Sequence, residues 1–327
     1  MDEIRWGIIG CGDVTEVKSG PAFDKVHNSS LVAVMRRNGE KAKDYAERHD
    51  VPKWYDKAED LIHDPEVNAV YIATPPANHR DYTIEAAKVG KPVYVEKPMA
   101  RNAEECSEMI TYCKEKQVPL YVAFYRRALP RFLKVKELLD KGEIGDIRFV
   151  TSRHTKPLME KDENGEWPWR VQPEISGGGL FYDLASHTLD LLDFLISPIE
   201  EVKGFAANQA SAYPAEDMVS GNFRFKNGVI GNGVWSFSSY KDEDINRIVG
   251  TKGEITFSTF DHTPITLLND NGVQEFNIEH PKHIQQGLIQ KIVDELLGKD
   301  TSPSTGESAQ RTNWVMDEMV REYYEKG

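Results

Sequence analysis

Residues 4–15 read IRWGIIGCGDVT, an apolar run that leads into two glycines and then into residues that can begin a helix. A strand that is apolar along its whole length is typical of a parallel sheet covered on both faces. The same alternation of strand and helix continues to residue 123. We predict strands at Ile4–Gly10, Leu31–Met35, Ala69–Ala73, Pro92–Glu96 and Pro119–Ala123, with helices at Gly39–Arg48, Asn78–Val89 and Ala103–Lys116. Because crossovers between parallel strands are right-handed, this order predicts an α/β fold with a doubly wound parallel sheet, a Rossmann domain over residues 1–123.

The pattern changes after Tyr125, where strands begin to follow one another directly. Asn-Gly between two alternating strands is the strongest short-range hairpin signal, and it occurs at Asn227-Gly228. The predicted elements of this half are helices near Pro130–Lys141 and Gly179–Ile196, a strand at Asp146–His154, and hairpins of Asp217–Phe225 with Val229–Ser238 and of Ile245–Val249 with Gly253–Ser258. We therefore predict a second, α+β domain over residues 124–327, built on a large open and mostly antiparallel sheet. A C-terminal helix at about residues 305–324 is expected to pack back on the first domain.

One face of this second sheet can pack on helices, and the other face must be covered or polar. Val229, Val234, Trp235 and Phe237 indicate that the far face is not wholly polar. We therefore expect self-association through this sheet, as a homodimer or a homotetramer.

Composition excludes several functional classes. The formal net charge of -13 over 327 residues, without a dense basic cluster, argues against a nucleic-acid partner. No apolar run approaches the length of about 20 residues that crosses a bilayer, and the N-terminus lacks the features of a signal peptide, so we expect a cytoplasmic protein with no membrane partner. Three cysteines, Cys11, Cys106 and Cys113, have no metal-ligand spacing, and we expect no metal site.

The first strand ends in the loop Gly10-Cys11-Gly12, which matches the first two glycines of the dinucleotide-binding fingerprint. Gly10 allows a tight turn, and Gly12 lets backbone N–H groups approach a pyrophosphate at the positive end of the helix that contains Asp13 and Val14. Thr15 stands where the third glycine is usual. A plain strand-to-helix turn is the alternative, and the position after the first strand of a Rossmann pattern favours the dinucleotide.

The second strand ends in Met35-Arg36-Arg37-Asn38, where an Asp or Glu normally binds the ribose 2′-hydroxyl of NAD. The guanidinium groups of Arg36 and Arg37 suit a 2′-phosphate through bidentate, charge-assisted hydrogen bonds. The sequence therefore favours NADP(H), with NAD(H) still open because a strand can also end in solvated basic residues.

Three further motifs follow in order: Ala73-Thr74-Pro75-Pro76-Ala77-Asn78-His79, then Glu96-Lys97-Pro98, then Gly177-Gly178-Gly179 followed by Asp183 and His187. Together they resemble the Gfo/Idh/MocA family, which includes glucose-fructose oxidoreductase and inositol dehydrogenase. The resemblance implies that Thr74, Pro75, Asn78 and His79 line the cofactor and that Glu96 lies beside the nicotinamide ribose. It also implies that Lys97 reaches the substrate and that the Lys97–Pro98 peptide bond is cis.

Lys97, Asp183 and His187 are the predicted catalytic set. Taken alone, Lys97 is typical of a surface lysine, and residues 183 and 187 are typical of a helix-stabilising pair. The family motifs favour catalysis, with His187 as the acid or base, Asp183 orienting it and Lys97 stabilising negative charge on the reacting oxygen. Weaker candidates for substrate contact are Tyr125, Arg126, Trp169 and Arg170.

These motifs predict an NADP(H)-dependent oxidoreductase that transfers hydride between nicotinamide and a sugar-like polyol or ketone. Two alternatives remain open from the sequence. One is an NAD-dependent glycoside hydrolase of the same fold, and the other is a non-catalytic cofactor sensor.

Overall fold

The structure is a computed structural model that describes residues 2–325. The chain forms two compact units. The first contains the residues up to Leu129 together with Pro281–Gln310, and the second contains Pro130–His280 together with the residues from Arg311 onward. The chain first passes from one unit to the other after Leu129, close to the expected boundary at residues 123 and 124. Residues 281–310, which were expected in the second domain, belong to the first unit.

The first unit is built on a six-stranded sheet in the order β3-β2-β1-β4-β5-β6, and every pairing in it is parallel. Its elements up to residue 129 are β1 (Ile4–Ile9), α1 (Asp13–Val17), β2 (Ser29–Met35), α2 (Gly39–Arg48), β3 (Lys53–Tyr55), α3 (Ala58–His63), β4 (Ala69–Ile72), α4 (His79–Lys88), β5 (Val93–Val95), α5 (Ala103–Glu115) and β6 (Leu120–Val122). The Rossmann prediction is confirmed. Sequence reasoning missed β3, which has only three residues, and α3, which has six residues with Glu59 and Asp60 in its first turn.

Burial on both faces explains why the central strands are apolar throughout. Every residue of β4 and β5 is buried, and one face of the sheet packs Trp6, Tyr71 and Tyr94 together, with the two tyrosine rings stacked at 4.8 Å. Alternation of apolar and polar residues, the mark of a half-exposed strand, is absent from β4 and β5 because neither face meets water.

The second unit is built on an eight-stranded sheet in the order β14-β13-β12-β11-β7-β10-β9-β8. Its elements from residue 130 to 280 are α6 (Pro130–Asp140), β7 (Ile147–Thr155), α7 (Pro173–Ser176), a π-helical turn (Phe181–Ala185), α8 (Ser186–Leu195), β8 (Ile199–Ala207), β9 (Met218–Phe225), β10 (Ile230–Ser236), β11 (Glu243–Gly250), β12 (Gly253–Phe257), β13 (Ile265–Asn269) and β14 (Gly272–Phe276). Both predicted hairpins are confirmed as antiparallel pairs, β9 with β10 and β11 with β12. The pairing of β10 with β7 is parallel, so the sheet is mostly, not wholly, antiparallel.

The outer face of this sheet carries one of the four apolar residues expected there, Val234, which is partly exposed. Trp235, Phe237 and Val229 are buried, because alternation along the strand turns residue 235 toward the covered face. Exposed apolar side chains on this face include Phe149, Phe205, Ile230 and Ile245, with Phe205 80% exposed. The expectation of an outer face that is not wholly polar is met by Val234 and by these other residues.

Two helices complete the chain, α9 (Gln286–Leu296) in the first unit and α10 (Gly306–Glu325). Only the first turn of α10 belongs to the first unit, and the rest packs within the second, where Met319 lies against the inner face of the sheet. A Cβ on Gly204 would stand 2.7 Å from the Met319 carbonyl oxygen, so glycine there permits the contact. Of the helix expected to pack back on the first domain, this first turn is the part that belongs to the first unit. Among residues 2–325, no helix is both long and apolar enough to span a membrane.

Candidate active site

The carboxyl edge of the parallel sheet collects most of the predicted cofactor residues. The loops that follow β1, β2, β4 and β5 all leave this edge, because the four strands run in the same direction. Open α/β sheets bind ligands at this edge. It carries Gly10, Gly12, Arg36, Arg37, Thr74, Pro75, Glu96 and Lys97, with Asp13, Val14, Asn78 and His79 at the starts of the helices that follow.

The glycine loop has the geometry that the fingerprint predicts at its first two positions. Gly10 has φ +94°, and a Cβ there would stand 2.9 Å from Cγ2 of Thr74, so only glycine fits. Around Gly12 the space is open, since the nearest atom that a Cβ at this position would meet is the Gly10 carbonyl oxygen at 3.9 Å. Thr15 is buried, and its hydroxyl donates to the Gly12 carbonyl oxygen at 2.7 Å. The third position therefore stabilises the loop without requiring glycine.

The helix after this loop is short. It spans only Asp13–Val17, because Gly20 and Pro21 redirect the chain into a short 3₁₀ turn. A single turn of helix has few aligned peptide dipoles, so the predicted attraction of its positive end for a pyrophosphate is weak. An anion at this loop would depend instead on the backbone N–H groups of the loop itself.

Arg36 lies directly against the glycine loop. Its Nη1 donates to the carbonyl oxygen of Cys11 at 3.3 Å, and its side chain is half-buried. Arg37 is exposed, and Asn38 caps α2 by accepting from the Lys41 backbone N–H at 3.1 Å. One guanidinium is therefore held beside the loop, while the second is exposed to solvent, from where it can reach an anion.

The loop after β4 is closed by a buried histidine. The Nε2 of His79 lies 2.7 Å from the Thr74 carbonyl oxygen, and its Nδ1 lies 3.1 Å from the Pro98 carbonyl oxygen. Burial lowers the pKa of His79. The imidazole thus joins the loop after β4 to the loop after β5. The hydroxyl oxygen of Thr74 is buried and has no hydrogen-bond partner within residues 2–325, which leaves it available to a ligand.

Glu96 belongs to a buried hydrogen-bond network. Its Oε1 accepts from the Tyr71 hydroxyl at 2.7 Å and from Nε2 of Gln285 at 2.6 Å, while the Oε1 of Gln285 accepts from Tyr94 at 2.6 Å. Its Oε2 accepts from the Lys97 backbone N–H at 3.1 Å. The Lys97–Pro98 peptide bond is cis, as the resemblance implies. The network fixes the end of β5 from which the half-buried Lys97 side chain extends.

Asp183 and His187 belong to the second unit. Asp183 lies in the π-helical turn, and Nε of Arg170 contacts its Oδ2 at 3.1 Å. The Arg170 guanidinium lies 4.6 Å from the centre of the Trp169 ring, so the two weaker substrate candidates Trp169 and Arg170 lie close to the predicted orienting residue Asp183. His187 is buried in the first turn of α8, with its ring edge-to-face against Phe260 at 5.7 Å.

Tyr125 and Arg126 are buried in the first unit, with the Arg126 guanidinium 5.0 Å from the centre of the Tyr125 ring.

Comparison with known protein families identifies both halves of the chain. Residues 4–124 match the oxidoreductase family with an NAD-binding Rossmann fold, and residues 132–256 match the GFO/IDH/MocA C-terminal domain. Oxidoreductase P35 of Formosa agariphila is 43% identical over 319 residues, covering 96% of this chain and 97% of that protein. The chain belongs to the GFO/IDH/MocA oxidoreductase family.

More distant relatives agree with this membership. The 1,5-anhydro-D-fructose reductase of Ensifer adhaerens is 27% identical to this family member over 309 residues, covering 93% of this chain and 91% of the reductase. The structure of a levoglucosan dehydrogenase in complex with NADH superposes with a TM-score of 0.87, covering 99% of this chain and 98% of that one, at 21% identity. The structural likeness shows the fold alone. The predicted enzyme class, an NAD(P)-dependent oxidoreductase acting on CH–OH groups, is confirmed by the family and its dehydrogenase and reductase members.

The glycines of the third motif have a packing role in this GFO/IDH/MocA oxidoreductase. A Cβ on Gly178 would stand 2.2 Å from the Tyr182 ring, and one on Gly179 would stand 2.4 Å from the Glu216 carbonyl oxygen. The carboxylate of Glu216 accepts from the Gly179 backbone N–H at 2.8 Å, and burial raises the pKa of this carboxyl to about 7. Sequence reasoning missed Glu216 and Gln285, since an isolated acid or amide carries no local signal of its distant partners.

Proposed function

We propose that this protein is an NADP(H)-preferring oxidoreductase that transfers hydride between the nicotinamide and a sugar-like polyol or ketone. One observation carries the proposal. The glycine loop, the arginines after β2 and the Glu96-Lys97 pair leave the same edge of one parallel sheet, so groups for a dinucleotide and for a reacting oxygen are collected there. The names of the relatives support a carbohydrate-like substrate.

The residues at this edge fit a phosphorylated dinucleotide. Gly10 makes the tight turn and Gly12 leaves open backbone for the pyrophosphate, with Asp13 and Val14 beside them, and the buried Thr74 hydroxyl offers a hydrogen bond. Arg36 and Arg37 would bind the 2′-phosphate of NADP. The remaining proposed cofactor residues are Pro75, Asn78, His79, Glu96 and Lys97. Because His79 is fully buried against backbone carbonyl oxygens, we propose that it shapes the cofactor loops instead of touching the ligand.

When bound, the nicotinamide supplies or accepts the hydride. In the reductive direction we propose that His187 protonates the substrate oxygen, and in the oxidative direction it removes the hydroxyl proton. The ammonium of Lys97 stabilises negative charge that develops on that oxygen. Asp183, which pairs with Arg170, orients His187 and stabilises its charged form. Tyr125, Arg126, Trp169 and Arg170 are proposed substrate contacts.

The cofactor preference is tested by removing the two guanidinium groups. We expect Arg36→Ala/Arg37→Ala to weaken NADPH binding by a factor on the order of 100 while NADH binding changes little, because each charge-assisted hydrogen bond to a phosphate contributes about 1.5–3 kcal/mol. Fluorescence titration of both cofactors measures this difference.

Lys43→Ala is the matched control for this titration, since Lys43 is an exposed cation on α2 that pairs with Glu47. Equal losses for NADPH and NADH in the arginine variant would contradict the preference. The reaction itself is tested on a panel of sugars, cyclitols and dicarbonyls with both cofactors in both redox states, by nicotinamide absorbance. Release of an aglycone without net change in the cofactor would favour the glycoside hydrolase instead.

We also propose that the protein is cytoplasmic and associates as a homodimer or homotetramer through the outer face of the eight-stranded sheet. Four large apolar side chains exposed on one face, Phe149, Phe205, Ile230 and Ile245, support this assembly.

A further inference from the structure

The turn after β12, residues 259–261, lies against the start of α8 in the second unit. The Phe260 ring meets the His187 ring edge-to-face at 5.7 Å, and the hydroxyl of Thr259 lies 3.0 Å from the hydroxyl of Thr188, the next residue along the helix. Two successive residues of the turn therefore contact two successive residues of the helix. A turn with this double contact can set the position of the His187 ring.

The turn is itself held by one carboxylate. Asp244, in β11, accepts the backbone N–H groups of Thr259 at 3.1 Å, Phe260 at 2.5 Å and Asp261 at 3.3 Å. Three consecutive N–H groups converging on one carboxylate form charge-assisted hydrogen bonds, which are roughly twice as strong as neutral ones. The backbone of the turn therefore depends on Asp244.

Polar side chains also support the turn from beneath. Asn246, two residues after Asp244 on the same face of β11, donates through Nδ2 to the Thr259 hydroxyl at 2.9 Å and accepts from Ser152 at 2.8 Å. Residue 244 is directly opposite His154 on β7, and the His154 ring stacks on Phe260 at 4.9 Å. The Phe260 ring is thus fixed between two histidines, of which His187 is the proposed proton-transfer group.

We propose that Asp244 is a positioning residue for His187 and that it acts through the turn 259–261 and the Phe260 ring. This inference rests on the proposed function, because it concerns the placement of the proposed acid or base. Phe260 is partly exposed, so the same ring that fixes His187 also forms an aromatic wall beside it. Such a wall suits the apolar face of a sugar-like ring.

The test is a spectrum that needs neither substrate nor cofactor. In the full-length protein labelled with ¹³C at histidine Cε1, the signal of His187 is assigned by its loss in His187→Gln. The ring current of Phe260 acts on this signal, so we expect Phe260→Leu to shift it. Asp244→Asn should shift this signal in the same direction or broaden it. The double variant should show the same shift as Phe260→Leu alone, because the two residues act on His187 through the same series of contacts.

Asp242→Asn is the control. Asp242 is exposed just before β11 and accepts from Nζ of Lys156 at 2.7 Å, so its substitution should leave the His187 signal in place. A His187 signal unchanged in folded Asp244→Asn, or unchanged in Phe260→Leu, overturns the proposal. If Asp244→Asn does not fold, Phe260→Leu, which alters a partly exposed side chain, still tests whether the Phe260 ring acts on His187. A different result would refute the proposed function alone: full activity of His187→Ala, together with spectra that behave as expected.

Discussion

His187 is the residue on which the proposed chemistry depends most. We expect His187→Ala to lower kcat by a factor on the order of 10² or more, because it removes the group that moves a proton at the substrate oxygen. The Kd for NADPH should stay unchanged, since the glycine loop and both arginines belong to the other unit. Steady-state kinetics on the substrate found in the panel and fluorescence titration of NADPH measure the two quantities.

His63→Ala is the control for this substitution. Its imidazole is exposed at the end of α3, with Nδ1 2.9 Å from the Glu59 carbonyl oxygen, so its removal should leave kcat and Kd alone. Turnover by His187→Ala close to the wild-type rate would remove His187 from the mechanism.

Single residues could be predicted from the sequence only where a motif supplied context. Lys97 and His187 are each ordinary in isolation, and only their order among the family motifs marked them. Asp244 and Gln285 could not be found in this way. Their partners, the turn at 259–261 and the carboxylate of Glu96, are distant in sequence and meet them only through tertiary packing.

Elements were predictable where local signals agreed. The bounds of α2 match the structure because Asn38 caps the helix and apolar residues recur on one face. The strands β13 and β14 were missed, since β14 is an edge strand whose residues are mostly exposed. The parallel pairing of β10 with β7 has no local signal, because it depends on which strand the hairpin meets.

The end of α10 is joined to the Gly178-Gly179 turn by a buried carboxyl. Glu216 accepts from the Tyr324 hydroxyl and from the Gly179 backbone, and burial raises its pKa to about 7. The folded protein therefore holds a proton that the unfolded chain releases above its ordinary pKa. The stabilisation is fully present below about pH 4.5 and is lost as the pH rises through about 7, with a slope of at most about 1.4 kcal/mol per pH unit.

Glu216→Gln should flatten this dependence. An amide stays neutral at every pH and can still accept from the Gly179 N–H, so the fall in Tm between pH 5 and pH 8 should be smaller than in the wild type. Thermal unfolding followed by circular dichroism across that range measures it. Glu275→Gln, at an exposed position of β14, should keep the wild-type profile, and parallel profiles for Glu216→Gln and wild type would refute the assignment.

At the scale of the whole molecule, the sequence predicts the fold type of each domain. It does not predict that the chain returns to the first unit after residue 280. Residues 281–310 return to the first unit, where Gln285 enters the network of Tyr94 and Glu96 and the His283 ring lies 2.7 Å from the Val17 carbonyl oxygen. No composition change or linker marks this return. It depends on contacts between positions almost 200 residues apart in the chain, as the separations of 191 and 189 residues for Gln285 illustrate.

The outer face of the eight-stranded sheet is large enough for a stable interface. At about 4.8 Å between strands and about 3.3 Å per residue, eight strands that average about seven residues cover roughly 900 Å². A standard interface buries about 800 Å² on each partner. The face also combines apolar side chains near its middle strands, such as Phe149 and Ile230, with charged residues such as Arg153 and Glu254.

Ile230→Lys should therefore convert the assembly to a monomer. Ile230 lies directly beside Phe149 on the neighbouring strand, so a lysine there would bury a charge among apolar side chains if two copies met through this face. Sedimentation velocity at micromolar concentration should give a dimer or tetramer for the wild type and a monomer for the variant. Tyr240→Lys tests the specificity of the effect, because Tyr240 is 99% exposed outside the strands and should leave the assembly intact. A monomeric wild type, or an Ile230→Lys variant that sediments like the wild type, would exclude this face as the interface.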